Sequence, residues 1–181
     1  LTGDQDCVGL SQRAAAAALT RHLLARGRRR IAFVAVQLDP RTLQRREGWR
    51  QTLRRAGSWD VSLSFEDARA SSMALGGELL QRVLREQPDV DAIFFCNDDL
   101  AQGALLAALR QGVAVPGRVA VAGFNDLPGS DQMVPSLTTV RTPRRAIGEH
   151  AARRLLARIG GDAGPPVRLD MGFELCVRSS S

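Results

Sequence analysis

The feature that most constrains the fold is an alternation of short apolar segments with longer helical segments. The apolar segments have the composition of buried strands, and helical patterns of about 10–15 residues separate them. The predicted strands are 30–36, 61–65, 91–96 and 119–124, and the predicted helices are 11–26, 43–56, 72–86 and 99–111. Because helices of this length join parallel strands by right-handed crossovers, the alternation predicts an α/β fold with a parallel sheet. The continuous apolar character of the strands predicts helices on both faces of that sheet.

The pattern changes after residue 124. A long, turn-rich connection leads to a short strand, and a helix then runs from near Pro143 to the glycines at 160 and 161. Apolar residues recur every four positions along this helix, which predicts one buried stripe. The stripe consists of Ile147, Ala151, Leu155 and Ile159. The C-terminal stretch VRLDMGFELCVR predicts a final strand or a hairpin.

Composition excludes several chemistries. All 25 Lys and Arg positions are Arg, so the chain contains no lysine. Schiff-base catalysis by lysine and a phosphate-binding Walker loop, which requires a lysine, are therefore excluded. The three cysteines lack the spacing of metal or redox motifs, so we predict no metal site, no cofactor and a cytoplasmic location. No apolar run approaches the roughly 20 residues of a membrane span, and no signal-peptide pattern opens the chain. The net charge of +6 is accompanied by only 4% aromatic residues, which favours solvated arginine-rich helix faces over a nucleic-acid surface.

Polar residues follow three of the predicted strands at the point where each strand ends. These exits are 37–42, 97–98 and 125–126. Because ligands bind outside the carboxyl ends of parallel strands, three polar exits at one edge predict a ligand crevice. Structural explanations remain open for each exit. Asp98 or Asp99 can cap the following helix, and Asn97 can adopt an unusual turn conformation.

Two arginines lie beside this predicted crevice. Arg41 and Arg45 are four residues apart, so both project from one face of the helix that follows the first exit. A guanidinium there can bind a ligand carboxylate or vicinal hydroxyls through paired hydrogen bonds. From the residues alone, ligand binding and a structural role for Arg45 are equally open. Arg46 points elsewhere and is predicted to be solvated.

Several long stretches carry a resemblance to a known family. They include VGLSQRAAAAALTRHLLARGRRRIAFV, RREGW, DAIFFCNDDLAQGALLAALRQGVAVPGRVAVAGFND and PSLTTVRTPRRAIGEHAARRLLARIGG. Together these stretches resemble the lactose-repressor/galactose-repressor family of bacterial transcription regulators along nearly the whole chain. The motifs LDPRTLQRREGW, SSMALGGELL and VPSLTTVRTPR are similar to the gluconate-utilisation branch of that family. The resemblance implies the two-lobed fold of periplasmic sugar-binding proteins, preceded by a helix-turn-helix DNA-binding domain outside these 181 residues.

The resemblance also implies how the chain divides between the two lobes. Residues 1–24 are expected to be the tail of the first lobe, most of which would lie upstream. Residues 25–140 would form the core of the second lobe. Residues 141–161 would be a helix that returns to the first lobe, and residues 162–181 would form the C-terminal strand region of the second.

Positions in the family imply a set of ligand contacts. Arg45 is expected to bind polar groups of the effector, while two asparagines line the pocket and two serines form a further wall. With Arg41, the predicted ligand-binding residues are Arg41, Arg45, Ser71, Ser72, Asn97 and Asn125.

Two departures from the family pattern affect the expected ligand. Ser11 and Gln12 stand where the family usually has Asp-Asn, and Asn125 stands where it commonly has Asp. A carboxylate near the carboxylate of an anionic ligand would repel it. The loss of two carboxylates therefore favours an anionic ligand over a neutral sugar.

The main functional prediction is the effector-binding and dimerisation domain of a transcription regulator, a repressor that senses a sugar or a gluconate-like sugar acid. Helix 99–111 is apolar almost all round, which predicts a homodimer. The expected contacts with a second chain are Leu100, Ala101, Ala104, Leu105 and Ala108. Operator DNA would bind through the upstream domain.

Two other classes of function were weighed against the regulator. The alternative is a solute-binding module for the transport of a small sugar-like ligand, which would carry an export signal upstream instead of a helix-turn-helix. An enzyme is disfavoured, because the sequence contains no G-x-S-x-G elbow, glycine-rich phosphate loop or metal-ligand cluster.

Overall fold

The computed structural model describes residues 5–181, which form two compact units. Unit 1 combines the segment ending at Ser11 with Thr142–Glu174, and unit 2 combines Gln12–Arg141 with Leu175–Ser181. The strands are β1 (Cys7–Gly9), β2 (Ile31–Val36), β3 (Ser64–Asp67), β4 (Ala92–Phe95), β5 (Ala120–Ala122), β6 (Thr139–Arg141), β7 (Arg168–Asp170) and β8 (Glu174–Cys176). The helices are α1 (Gln12–Ala25), α2 (Pro40–Arg55), α3 (Met73–Glu86), α4 (Asp98–Gln111) and α5 (Arg144–Ile159), with a short 3₁₀ helix at Val61–Leu63.

Unit 2 is built on a four-stranded sheet with the order β3-β2-β4-β5. All three strand pairings in it are parallel. The predicted parallel α/β fold is therefore confirmed, and the exits of β2, β4 and β5 lie at one edge of the sheet, which we call the carboxyl edge. Parallel bridges between Ala122 and Thr138 and between Asn125 and Arg141 continue this pattern beyond β5.

The sheet of unit 2 is covered on both faces. Every residue of β2 and β4 is buried. Trp49 of α2 stacks on Phe33 with 5.4 Å between ring centroids, and its Nε1 donates to the carbonyl of Ile31 at 3.1 Å. Phe94 lies edge-on to Phe33 at 5.0 Å. This aromatic core explains why the strands are continuously apolar rather than alternating.

Side-chain caps set where the helices begin. The Oδ1 of Asp39 accepts from the backbone N–H of Thr42 at 2.7 Å, and Pro40 occupies the first helical position, so α2 begins earlier than the predicted residue 43. Ser72 caps α3 and Asn97 caps α4 in the same way. All three caps lie toward the carboxyl edge, because the parallel strands β2, β3 and β4 each lead into one of these helices.

Helices α3 and α4 approach each other closely at glycines. A Cβ atom on Gly76 or Gly103 would overlap the backbone of the facing helix. This approach buries a second side of α4 within unit 2, so the residues predicted to contact another chain are not available to one. These buried residues are Leu100, Ala101, Ala104, Leu105 and Ala108. The large apolar residues that α4 exposes are Leu106 and Leu109.

Unit 1 contains a two-stranded parallel sheet of β1 and β7, and α5 packs on β1. Helix α5 has no buried residue, so the predicted buried stripe is wrong. Leu155 is 62% exposed and Ile159 is 74% exposed. Two strands of three residues each offer too little surface to cover a 16-residue helix.

An ionic cluster organises unit 1 around Asp6. The carboxylate of Asp6 accepts from Arg158 Nε at 2.8 Å, from the backbone N–H of Val167 at 2.6 Å and from Arg154 Nη2 at 3.3 Å. The hydrogen bonds from Arg158 and Val167 hold the pKa of Asp6 far below its ordinary value. A cavity of about 570 Å³ borders the cluster, but its charged side chains are already paired with one another.

Three further features differ from the sequence-based expectations. Residues 61–63 form a 3₁₀ helix because Asp60 accepts from the N–H of Ser62, so the strand predicted at 61–65 begins at Ser64. The C-terminal stretch is neither one strand nor a hairpin, since β7 pairs with β1 and β8 pairs with β6. No helix among residues 5–181 combines the length and apolarity that crossing a bilayer requires.

The division between the two units differs from the expected lobe boundaries. It falls after residues 11, 141 and 174, whereas the family resemblance placed boundaries after residues 24, 140 and 161. Helix α1 belongs to unit 2 because it packs tightly on α2, where a Cβ on Gly48 would overlap the carbonyl of Arg13. Strand β7 belongs to unit 1 because its partner is β1.

Candidate functional site

Backbone strain is concentrated at the carboxyl edge of unit 2. Within the described residues, the non-glycine residues with positive φ are Gln37 (56°), Leu38 (27°), Asn125 (113°) and Asp126 (52°). The first two leave β2 and the last two leave the β5 segment. Such conformations cost on the order of 1–3 kcal/mol each and cluster at binding sites, where the surrounding structure fixes them. The strain therefore marks the same edge that the polar exits predicted.

Arg45 is a buried guanidinium at this edge, with 7% of its surface exposed. Its Nε donates to Gln12 Oε1 at 2.7 Å, and its Nη1 donates to the carbonyl of Cys96 at 2.6 Å. Its guanidinium carbon lies 3.8 Å from the centroid of the Phe124 ring. Helices α1 and α2 and the segments that follow β4 and β5 thus meet at one side chain. Burial lowers the pKa of Arg45 to about 10, so the group stays a cation at neutral pH.

The buried charge of Arg45 has no carboxylate partner among the described residues. Its neighbours are an amide oxygen, a carbonyl oxygen and an aromatic face. Its Nη2 makes no hydrogen bond within residues 5–181. Asp39 and Asp98 stabilise the charge of Arg45 from a distance, but neither contacts it. A buried cation without a carboxylate in direct contact is unfavourable, so this arrangement favours an anion that approaches from outside the protein.

Arg41 differs from Arg45 although the two share a helix face. It is exposed, and its Nη2 forms an ion pair with Asp39 at 2.9 Å. Arg46 lies on another side of α2 and pairs with Glu66. The structure thus separates one buried, carboxylate-free arginine from two that already have acidic partners.

Asn97 both caps α4 and faces the edge. Its Oδ1 accepts from the backbone N–H of Leu100 at 3.2 Å and from Ser71 Oγ at 3.0 Å. Its Nδ2 makes no hydrogen bond within the part of the chain that the structure describes. The residue that caps α4 is therefore Asn97, not Asp98 or Asp99, and its amide nitrogen remains able to donate to a ligand.

The two serines have different positions. Ser71 is half-buried and donates to Asn97, so it lies beside the predicted site. Ser72 is exposed, and its Oγ accepts from the N–H of Leu75 as the cap of α3. This hydrogen bond gives Ser72 a structural role that the sequence analysis did not assign.

Asp98 points into unit 2 rather than toward a ligand. It is fully buried, and it accepts from Thr139 Oγ1 at 2.6 Å, the N–H of Leu127 at 2.7 Å and Ser130 Oγ at 3.3 Å. Burial raises the pKa of Asp98, and these hydrogen bonds oppose the rise. Asp98 therefore connects the start of α4 to β6 and to the segment after β5.

Asn125 and Asp126 are held in different ways. The N–H of Asn125 donates to the carbonyl of Val140 at 2.8 Å, whereas its side chain makes no hydrogen bond among the described residues. Asp126 forms ion pairs with Arg141 at 2.7 Å and Arg178 at 2.8 Å. Burial alone would raise the pKa of Asp126, but these arginines outweigh it and lower the pKa. The charge of the Asp126 carboxylate is thus balanced by arginines, and the Asn125 carboxamide remains able to bind a ligand.

Sequence reasoning missed two contributors to the site. Gln12 was identified only as a departure from the family pattern, but it fixes the direction of Arg45 through the Nε hydrogen bond. Phe124 was assigned to a strand end, but its ring supports the guanidinium. Neither contact has a local signal, because each partner is at least 33 residues away along the chain. Among residues 5–181, no group of three or more His, Cys, Asp or Glu side chains is placed to hold a metal ion.

Comparisons with known proteins identify the family to which this fold belongs. The family of periplasmic binding protein-like domains matches residues 20–181. The HTH-type transcriptional regulator GntR of Pseudomonas aeruginosa is 58% identical over 176 residues, which cover 97% of this chain and 51% of that protein. The HTH-type transcriptional regulator GntR of Escherichia coli is 40% identical over 168 residues, which cover 93% of this chain and 50% of that protein. The chain thus spans about half the length of these curated relatives.

Two solved structures have the same fold. The crystal structure of the transcription regulator GntR from Chromobacterium violaceum matches with a TM-score of 0.96 and 50% identity, over 100% of this chain and 67% of that one. A complex of the transcriptional regulator CelR with cellobiose matches with a TM-score of 0.90 and 31% identity, over 100% of this chain and 56% of that one.

Proposed function

The chain belongs to the periplasmic binding protein-like domain family, in the form found in transcription regulators of the lactose-repressor/galactose-repressor family, and we propose that it binds the small-molecule effector of such a regulator. The proposed effector is a sugar or sugar acid, with a gluconate-like anion preferred. The named relatives are transcription regulators rather than enzymes or transport proteins. They favour the regulator over the solute-transport alternative.

The observation that carries the proposal is the buried, carboxylate-free guanidinium of Arg45 at the carboxyl edge. Its Nη2 has no hydrogen-bond acceptor within residues 5–181. A ligand carboxylate would supply both a counter-charge and an acceptor. Charge-assisted hydrogen bonds of this kind are stronger than neutral ones, so the carboxylate would add affinity as well as orientation.

The other polar groups at the edge suit the hydroxyls of a polyol. The carboxamides of Asn97 and Asn125 can donate and accept, and neither carries a charge that would repel an anion. Of the nearby carboxylates, Asp98 is turned into unit 2, and Asp126 and Asp39 are paired with arginines. Asp99 lies beside Ser71, 3.5 Å from its hydroxyl. Around Arg45 the edge therefore offers one buried cation and several neutral hydrogen-bonding groups.

A thermal-shift panel on the whole protein tests this proposal. Sugar acids such as gluconate are expected to raise the melting temperature, whereas neutral sugars at equal concentration raise it less or not at all. Arg45→Ala is expected to abolish the shift. Arg46→Ala serves as the matched control, because Arg46 is on the same helix but pairs with Glu66. An unchanged shift in Arg45→Ala would remove Arg45 from the site.

We further propose that the regulator is a cytoplasmic homodimer that binds operator DNA through a domain outside these 181 residues. The apolar residues that α4 exposes, Leu106 and Leu109, support self-association through that helix. The effector would shift the population between two arrangements of the regulator by binding one of them more tightly. Sedimentation of Leu109→Ser tests the dimer. A variant that sediments like the unmodified protein would exclude Leu109 from the interface.

A further inference from the structure

Three consecutive polar residues, 97–99, follow β4. The burial of the second, Asp98, is not explained by the functions assigned so far. Asn97 caps α4 and Asp99 contacts Ser71, so both have roles at the surface of the edge. Asp98 instead places a carboxylate inside the fold, where no Arg ion-pairs with it among the described residues. Burying a carboxylate is unfavourable, so its presence here indicates a function that an apolar residue would not supply.

The contacts of Asp98 converge on the two strained residues after β5. Its Oδ2 accepts from the N–H of Leu127, the residue that directly follows Asp126. Its Oδ1 accepts from the hydroxyl of Thr139, and that hydroxyl in turn accepts from the N–H of Asp126 at 3.4 Å. Both oxygens of Asp98 therefore act on the backbone that keeps Asn125 and Asp126 in left-handed conformations.

The chain also makes room for this carboxylate. A Cβ on Gly123 would overlap Asp98 Oδ1, so this position requires glycine while Asp98 keeps its place. The N–H of Asp98 donates to the carbonyl of Phe124 at 3.1 Å, which ties the start of α4 to the segment after β5. Asp98 is thus fixed from both sides, and the segment it holds has little freedom to move independently of α4.

We propose that Asp98 is a positioning residue for the effector site. It fixes the left-handed turn at Asn125 and Asp126, and this turn directs the unpaired carboxamide of Asn125 toward the ligand. The proposal rests on the proposed function, because it assigns Asn125 to an effector contact. A merely structural Asp98 would stabilise unit 2 without acting on affinity through Asn125.

A double-mutant cycle on the whole protein, with D-gluconate as the probe, separates the two roles. Asp98→Ala is expected to weaken gluconate binding about 30-fold, and Asp98→Asn, which keeps one acceptor oxygen, about fivefold. In an Asn125→Ala background, both substitutions are expected to weaken binding by less than about twofold, because the group they position is gone. If the Asp98 substitutions weaken gluconate binding by the same factor with and without the Asn125 side chain, the proposal is overturned.

Two controls keep the result decisive. Leu80→Ala removes a fully buried side chain of α3, so it destabilises unit 2 and is expected to leave gluconate affinity within about twofold. Hydrogen exchange without ligand tests the positioning step alone, and the amide of Leu127 is expected to lose protection in Asp98→Asn but not in Leu80→Ala. Retained protection in Asp98→Asn would overturn the proposal. If the unsubstituted protein does not bind gluconate, the proposed function fails, and the exchange result still decides whether Asp98 positions the turn.

Discussion

The two units of this chain are stabilised by different interactions. Unit 2 surrounds a parallel sheet with aromatic and aliphatic side chains, and its largest residues, including Trp49, Phe33 and Phe94, are fully buried. The described part of unit 1 has two three-residue strands, a helix without a buried residue and an ionic cluster around Asp6. Packing therefore dominates in unit 2, and charge pairing organises unit 1. The contrast predicts that equivalent substitutions will have different effects in the two units.

The largest difference is expected for truncation of an apolar side chain. Phe94→Ala in unit 2 is expected to lower the free energy of unfolding by about 3–5 kcal/mol, because it leaves a cavity beside Phe33 and Phe124. Leu155→Ala in unit 1 is expected to change it by less than about 0.5 kcal/mol, because the side chain is mostly exposed. Urea denaturation followed by circular dichroism measures both. Similar losses for the two variants would show that unit 1 has a core of its own.

Glycine-to-alanine substitutions are expected to change the free energy of unfolding in opposite directions in the two units. Gly103→Ala introduces a Cβ that would overlap the carbonyl of Met73, and it is expected to destabilise the protein by about 1–3 kcal/mol. In α5, a Cβ on Gly148 would meet no heavy atom within 4 Å beyond its chain neighbours and the nearby backbone of its own helix, so Gly148→Ala is expected to stabilise the helix by about 0.5–1 kcal/mol. The same denaturation measurement compares them. Loss of stability in Gly148→Ala would indicate that another part of the protein packs against α5 at Gly148.

The smallest expected effect concerns pH. The pKa of Asp6 is lowered in the folded state by Arg158 and Val167, so its contribution to stability is present above its ordinary pKa and is lost as pH falls toward the lowered value. Hydrogen-exchange protection of the Val167 amide is therefore expected to fall as pH drops below about 4. Protection of Val34 in β2 serves as the reference. In Asp6→Asn the Val167 amide is expected to be weakly protected at every pH, and strong protection would contradict the role of the ionic cluster.

The same contrast explains which features of the fold could be predicted from the sequence. The parallel sheet and its polar carboxyl edge were predictable, because buried strands are continuously apolar and polar residues stood at three of their ends. The four-residue apolar period of α5 was typical of a buried face, but the structure leaves that face exposed. Periodicity reports which residues can be buried, whereas burial itself depends on what the helix packs against.

At the edge itself, the sequence identified the polar residues but not how they divide between roles. Asp98 or Asp99 was the expected cap of α4 and Asn97 a turn residue, whereas Asn97 is the cap. The inward position of Asp98 follows from its contacts to β6 and to the segment after β5. The burial of Arg45 depends on Gln12 and Phe124, which no local pattern connects to it. For α4, the all-round apolar surface was predicted to contact a second chain, but the structure packs that surface against α3 of the same chain.

The central claim is that the guanidinium of Arg45 binds a negatively charged group of the effector. Calorimetric titration of the whole protein with D-gluconate and with D-glucitol tests it directly, because the two polyols differ at the position of the carboxylate. The account predicts that the unsubstituted protein prefers gluconate by about 10- to 100-fold, the range expected for hydrogen bonds to a charged group, and that Arg45→Gln removes this preference. Equal binding of the two polyols, or an undiminished preference in Arg45→Gln, would contradict it.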